Sequence, residues 1–149
     1  MSCRFEFVVV ALVAFLAATP TKAQNAAAGS PDGIWLTQAG DAKVRVSKCG
    51  SGICGVVVWL KEPIDPLTGK PQVDDKNPNS KLAKRPIIGL QLFLGMKPQG
   101  PRKWSGQIYN ADDGKIYSSN VTLEDPTKLK VEGCIGTLCG SEVWSKLSR

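Results

Sequence analysis

The side chains that could carry chemistry in this sequence are few, and their types exclude more than they suggest. The 149 residues include no histidine, which removes Ser-His and Cys-His nucleophile pairs, His-ligated metals and the side chain that titrates nearest neutrality. What remains is two pairs of adjacent aspartates, Asp74-Asp75 and Asp112-Asp113, and five cysteines. Two carboxylates can share acid and base roles when their environments differ. Adjacent aspartates are, however, usual turn formers whose side chains point apart. With no nucleophile-base constellation beside them, the chain reads as a non-enzyme.

The cysteines are best understood through the N-terminus. An apolar run from Phe7 to Ala18 follows Arg4 and ends in Pro20, and Thr21 and Ala23 supply small residues for cleavage after Ala23. The run is shorter than the ~20 residues a membrane span requires. Residues 1–23 are therefore expected to be a signal peptide that takes Cys3 with it. The four cysteines left, Cys49, Cys54, Cys134 and Cys139, are an even number in an exported chain and read as two disulfides. A zinc site would want closer pairs, commonly completed by histidine. No metal and no cofactor is expected.

Removal of the signal leaves 126 residues with 17 basic and 12 acidic side chains, a modest excess in a chain of one-domain size. The densest basic cluster, Lys81, Lys84 and Arg85, has no aromatic neighbour. It reads as a solvated loop and gives no reason to expect nucleic-acid binding. Residues 24–31 are small and polar and are expected to form a flexible leader before a single domain over 32–149.

Within that domain, β-rich runs separated by turn residues predict eight strands, at 34–38, 42–48, 54–61, 86–95, 103–109, 115–123, 128–134 and 139–147. Alternation is plain where Val44 and Val46 face Lys43 and Arg45, and where Leu129 and Val131 face Lys128 and Lys130. Tight connections such as Gly50-Ser51-Gly52 and Asp112-Asp113-Gly114 imply successive hairpins. The expected fold is all-β: an eight-stranded antiparallel up-and-down barrel, with a sandwich as the alternative. Glu62 to Arg85 is the exception, a 24-residue loop between strands three and four with at most one helical turn, over 80–84 after an Asn79 cap. Loops of that length in compact domains are usually functional or disordered.

An internal repeat locates the disulfides. The pattern V-x-x-C-x4-C-G-x-x-V-W occurs from Val46 to Trp59 and again from Val131 to Trp144, which predicts two equivalent hairpins with a cysteine on each side of the tip. Facing residues of a hairpin lie within disulfide reach. In an eight-strand meander the two hairpin tips lie at opposite ends, so the pairs expected are Cys49 with Cys54 at the closed end and Cys134 with Cys139 beside the mouth.

Gly33-Ile34-Trp35 at the start of such a meander resembles the GxW entrance of lipocalins. Taken with Cys49 to Gly55, Asp75, Asn77-Pro78, Arg85-Pro86, Gly89-Leu90, Trp104, Gly106, Tyr109-Asn110, Gly114, Tyr117, Gly133-Cys134 and Trp144, the chain resembles domain-of-unknown-function family 2147. The resemblance runs from Gly33 to Trp144. It implies an exported, lipocalin-like barrel from a Gram-negative bacterium, periplasmic or secreted, and no particular activity. The family tends to follow its last Trp closely with Arg, whereas Ser145-Lys146 follows Trp144 here and Arg149 comes late.

The long loop and the turns after strands one, five and seven share one end, the expected mouth. Inward residues by alternation include Leu90, Leu92, Trp104, Ile108 and Tyr117, with Trp59 and Tyr109 beside them, and Asp75, Asn77 and Arg85 on the loop complete the candidate ligand site. The function expected is a carrier of a small apolar molecule with the loop as its lid. The alternative is a filled barrel whose loops contact an envelope or host protein.

Overall fold

The computed structural model describes residues 29–148. The signal segment, residues 24–28 of the leader and Arg149 lie outside the described residues. Eight strands follow in order: β1 (Gly33–Leu36), β2 (Ala42–Cys49), β3 (Gly52–Leu60), β4 (Phe93–Gly100), β5 (Lys103–Asn110), β6 (Lys115–Asp125), β7 (Lys128–Ile135) and β8 (Leu138–Ser148). Each pairs antiparallel with the next and β8 returns to β1, which closes the barrel and leaves no free edge. The up-and-down barrel, not the sandwich, is the fold.

One half of the barrel is filled. Trp35, Val44, Val46, Phe93, Val121, Leu123 and Leu129 are fully buried at the end where β1 begins. Ordering reaches back past the expected start at Asp32, because Pro31 is buried and its carbonyl accepts the Trp35 indole N–H at 2.8 Å. Lys146 of β8 pairs with Trp35 and places its ammonium 5.0 Å from the centre of that ring. Trp144 stacks on Phe93 with centroids 5.7 Å apart and forms the upper boundary of the filled half.

Two register shifts change which side chains face inward. Leu94 pairs with Gln107 but Lys97 with Ser105, so β4 carries one residue more than β5 between those pairs. That bulge resets the alternation and lets Phe93 and Met96, three apart, both enter the core. The expected strand at 86–95 is displaced for a related reason. Residues 86–92 touch their neighbours only through single bridges and isolated bonds, such as Val57 N–H to Leu90 C=O, and the regular strand runs on through Pro98. Pro98 is tolerated because β3 begins at Gly52, opposite this region, leaving β4 paired with β5 alone. In β3, Val44 pairs with Val57 and Lys43 with Trp59, so Val58 is an extra residue and the faces reverse after it.

Both disulfides form as expected, Cys49 with Cys54 and Cys134 with Cys139. The hairpins are not equivalent. Cys134 faces Cys139 directly, whereas Cys49 faces Gly52 and Cys54 faces Ser47. The cause is glycine placement. Each two-residue turn begins at a left-handed glycine, Gly50 or Gly136, which is one residue after the first cysteine in one hairpin and two after it in the other.

The long loop is ordered by its own bonds. Ile64 and Pro71 bridge, as do Val73 and Pro86, and Asn79 caps a single turn through its side chain to Lys81 N–H. That turn does not extend into a helix.

Candidate functional site

The four connections after β1, β3, β5 and β7 surround an open cavity of about 1330 Å³ at the unfilled end. Its deep wall is apolar: Val57, Leu60, Leu92, Ile108, Val131 and Trp144. Alternation along paired strands explains this. Val131 faces Glu142 and Leu129 faces Trp144, so β8 presents Glu142 and Trp144 on the interior side. The rim is charged, with Asp41, Glu62, Asp75 and Asp112 against Lys61 and Lys76, and Glu142 adds a further carboxylate from β8.

The long loop is fixed to the barrel by a buried carboxylate. Asp74 is fully buried. It accepts the Tyr109 hydroxyl at 2.5 Å, the Asn77 amide at 2.9 Å and Arg85 Nε at 2.9 Å, with Arg85 Nη2 at 2.8 Å. Asn77 also donates to the Tyr109 hydroxyl at 3.0 Å, and the Arg85 guanidinium lies 5.3 Å from the centre of the Tyr109 ring. An ion removed from water is tolerated only when paired and hydrogen-bonded in this way. Burial and the bond to Asp74 raise the Tyr109 pKa above its ordinary 10.0. At the neighbouring β5–β6 turn, the Tyr117 hydroxyl donates to Asp113, which holds that carboxylate below its usual range and raises the phenol.

Comparison with known proteins adds a family and a fold. The family model described as "Uncharacterized protein conserved in bacteria (DUF2147)" matches residues 33–146. The chain belongs to this family. A solved structure, "Protein HP1028 from the human pathogen Helicobacter pylori belongs to the lipocalin family", is similar to this DUF2147 chain with a TM-score of 0.67. The two are 23% identical, over 80% of this chain and 84% of that one. At that identity the likeness speaks to the fold, a lipocalin-like barrel. Comparison with curated proteins gives no match.

The structure divides the sequence-predicted site residues of this DUF2147 protein into five groups. Leu92, Ile108, Tyr109, Tyr117 and Asp75 line the cavity. Leu90 is buried beneath the loop with Val57 and Tyr109. Asn77 and Arg85 do not line the cavity and instead serve Asp74; Arg85 is thus a partner of a buried acid rather than part of a solvated basic cluster. Trp104 packs against the filled half. Trp59 is a correction: the extra residue at Val58 turns it outward, where Lys43 Nζ sits 4.4 Å over its ring.

Asp74 was named only as half of a carboxylate pair, and Glu142 was missed. Asp74, not Asp75, is the organising acid, and a buried loop carboxylate leaves no periodic signal in sequence. Glu142 did leave one. It occupies the repeat position held by Val57 in the first hairpin, so the matched register places a carboxylate where the other copy has an interior valine. Neither aspartate pair converges as an acid-base couple, since Asp74 is occupied and the exposed Asp75 pairs with Lys76 at 3.5 Å. Among the described residues no group of three or more His, Cys, Asp or Glu side chains could hold a metal ion.

Proposed function

We propose that this DUF2147 protein is an exported carrier that binds a small molecule in the mouth half of its barrel and performs no catalysis. The observation that carries this reading is the division of the interior: a packed closed half, and above it a cavity of about 1330 Å³ open to solvent, with Leu92, Ile108 and Val131 in its wall and charged residues around them. Ligand pockets are commonly concave, largely preformed and lined by apolar and aromatic groups with a few polar ones. A filled barrel acting only through its loops would have no use for this space. The two disulfides support an oxidising compartment, periplasmic or extracellular.

The loop enters this reading as a fixed wall rather than a swinging lid. Its central acid is bonded to Tyr109 on the barrel and to Arg85 and Asn77 within the loop, and opening it would strand a buried charge. Ligand then enters past the rim while the loop stays in place.

Native mass spectrometry of the protein purified under non-denaturing conditions from its own envelope tests the proposal. The expected spectrum carries an added mass of a few hundred daltons, on the order of a drug-sized ligand. An apo mass alone, together with no fluorescence gain from the neutral probe N-phenyl-1-naphthylamine, would end the carrier reading.

A further inference from the structure

The chain carries a net charge of +6, yet its cavity does not share that sign. Five carboxylates, Asp41, Glu62, Asp75, Asp112 and Glu142, line the cavity against two ammoniums, Lys61 and Lys76. One of those ammoniums is engaged, since Lys76 pairs with Asp75 at 3.5 Å. Among the described residues Asp41, Glu62, Asp112 and Glu142 form no ion pair.

Glu142 differs from the others in position. The rest come from connecting segments at the rim, whereas Glu142 is on β8, opposite the buried Val131 and two residues from Trp144. One of its oxygens accepts the Trp144 indole N–H at 2.9 Å, which fixes the carboxylate in orientation without neutralising it. Glu142 is exposed to the cavity's water, so its charge on a barrel strand stays solvated and open to an entering ligand. Carboxylates in excess around a concave mouth focus their field there, and that strengthens the attraction for any cation entering the cavity.

On the carrier reading above, we propose that the mouth cavity selects organic cations with an apolar body, and that Glu142 is the counter-ion that binds the positive group. The apolar part lies against Leu92, Ile108 and Val131, and the rim carboxylates attract the cation on approach. An anionic amphiphile of the same chain length meets the same apolar wall but is repelled by the same charges. Fatty-acid-like ligands are disfavoured on this basis.

The test uses three probes with one tail, dodecyltrimethylammonium, dodecanoate and dodecyl maltoside. Each is titrated below its micelle concentration into the purified protein, with binding read by calorimetry and by tryptophan fluorescence. The ammonium probe is expected to bind roughly tenfold or more tighter than dodecanoate, which is the scale of one or two partly exposed charge contacts. Glu142→Gln, folded by circular dichroism, is expected to lose about tenfold for the ammonium probe and nothing for the maltoside. Asp112→Asn at the rim provides a second variant should Glu142→Gln fail to fold, with a smaller loss that vanishes at high salt. Equal binding of all three probes, unaltered in both variants, would overturn the cation proposal and leave the carrier reading standing. Failure of every probe to bind would overturn both.

Discussion

Asp74 concentrates the polar energetics of the mouth in one residue. A carboxylate with no solvent contact is held by one phenol, one amide and one guanidinium, and each partner comes from a different point along the chain. Asp74→Ala removes the acceptor for all three and is expected to lower stability by about 2 to 4 kcal/mol in urea unfolding, below the fully buried limit because Arg85 reaches solvent. Tyr109→Phe, which deletes one bond, should cost about 1 kcal/mol. A loss under about 0.5 kcal/mol for Asp74→Ala would mean that the loop is not tied down through this residue. The same contacts set an alkaline limit. Tyr109 and Tyr117 are the protein's 2 tyrosines, and both phenols are raised above 10.0, Tyr109 by burial and Asp74, Tyr117 by Asp113. The folded state therefore holds these protons more tightly than the unfolded chain does. The stabilisation is complete below the ordinary tyrosine value and is lost as pH rises through the raised one. Phenolate absorbance at 295 nm in Tyr117→Phe isolates Tyr109, and its midpoint is expected above 10.0 in the folded protein and near 10 in urea. A folded-state midpoint at or below the urea value would contradict the buried network.

At the scale of elements, the mouth is an assembly of one loop and three turns, each fixed by a local device. Gly114, at φ 71° in the β5–β6 turn, lies so close to the loop that a Cβ there would fall 2.0 Å from the Lys76 carbonyl oxygen. Gly114→Ala is expected to push the loop off the barrel, and hydrogen exchange of the Asn77 amide, which donates to Asp74 C=O at 3.0 Å, is the reporter. Unchanged protection of Asn77 in that variant would show that the turn does not support the loop. Removing the mouth disulfide by Cys134→Ser with Cys139→Ser should cost about 2 kcal/mol for its short closed loop and leave the filled half intact. These devices differ in how far the sequence shows them. Seven of the eight strands, the closure and both disulfide pairs follow from turn spacing, alternation and the repeated hairpin, because each has a short period or a local cause. The bulges at Val58 and in β4 do not. A bulge adds one residue without changing composition, yet it reverses every later side chain, which is why Trp59 points out while its repeat partner Trp144 points in. The loop was legible as long and polar. That its acid turns inward depends on Tyr109, 35 residues away, and no local pattern records such a partner.

On the scale of the whole molecule, the barrel divides its labour along its axis. The closed half is packed like any small core, with Phe93 fully buried against Trp144 and Gly55. The open half leaves the inner faces of Leu92, Ile108 and Val131 against a cavity, so part of each of those surfaces is already unsatisfied by packing. Interior substitutions should therefore separate into two classes. Phe93→Ala opens a void in a close-packed region and is expected to cost about 3 to 5 kcal/mol, the range for losing a large aromatic from a core. Ile108→Ala enlarges a cavity that exists already. Part of its apolar surface gains nothing from folding, so about 1 to 2 kcal/mol is the expected loss, short of the usual core range for that truncation. Binding should run the other way. Ile108→Ala removes wall that a ligand's apolar part would cover, and affinity for dodecyl maltoside is expected to fall several-fold. A conservative Phe93→Leu, which keeps the filled half closed, should leave that affinity within about twofold. Urea unfolding and probe titration on the same two variants measure both sides of the division. If Ile108→Ala destabilised the barrel as much as Phe93→Ala and left probe binding unchanged, the mouth half would be core rather than site.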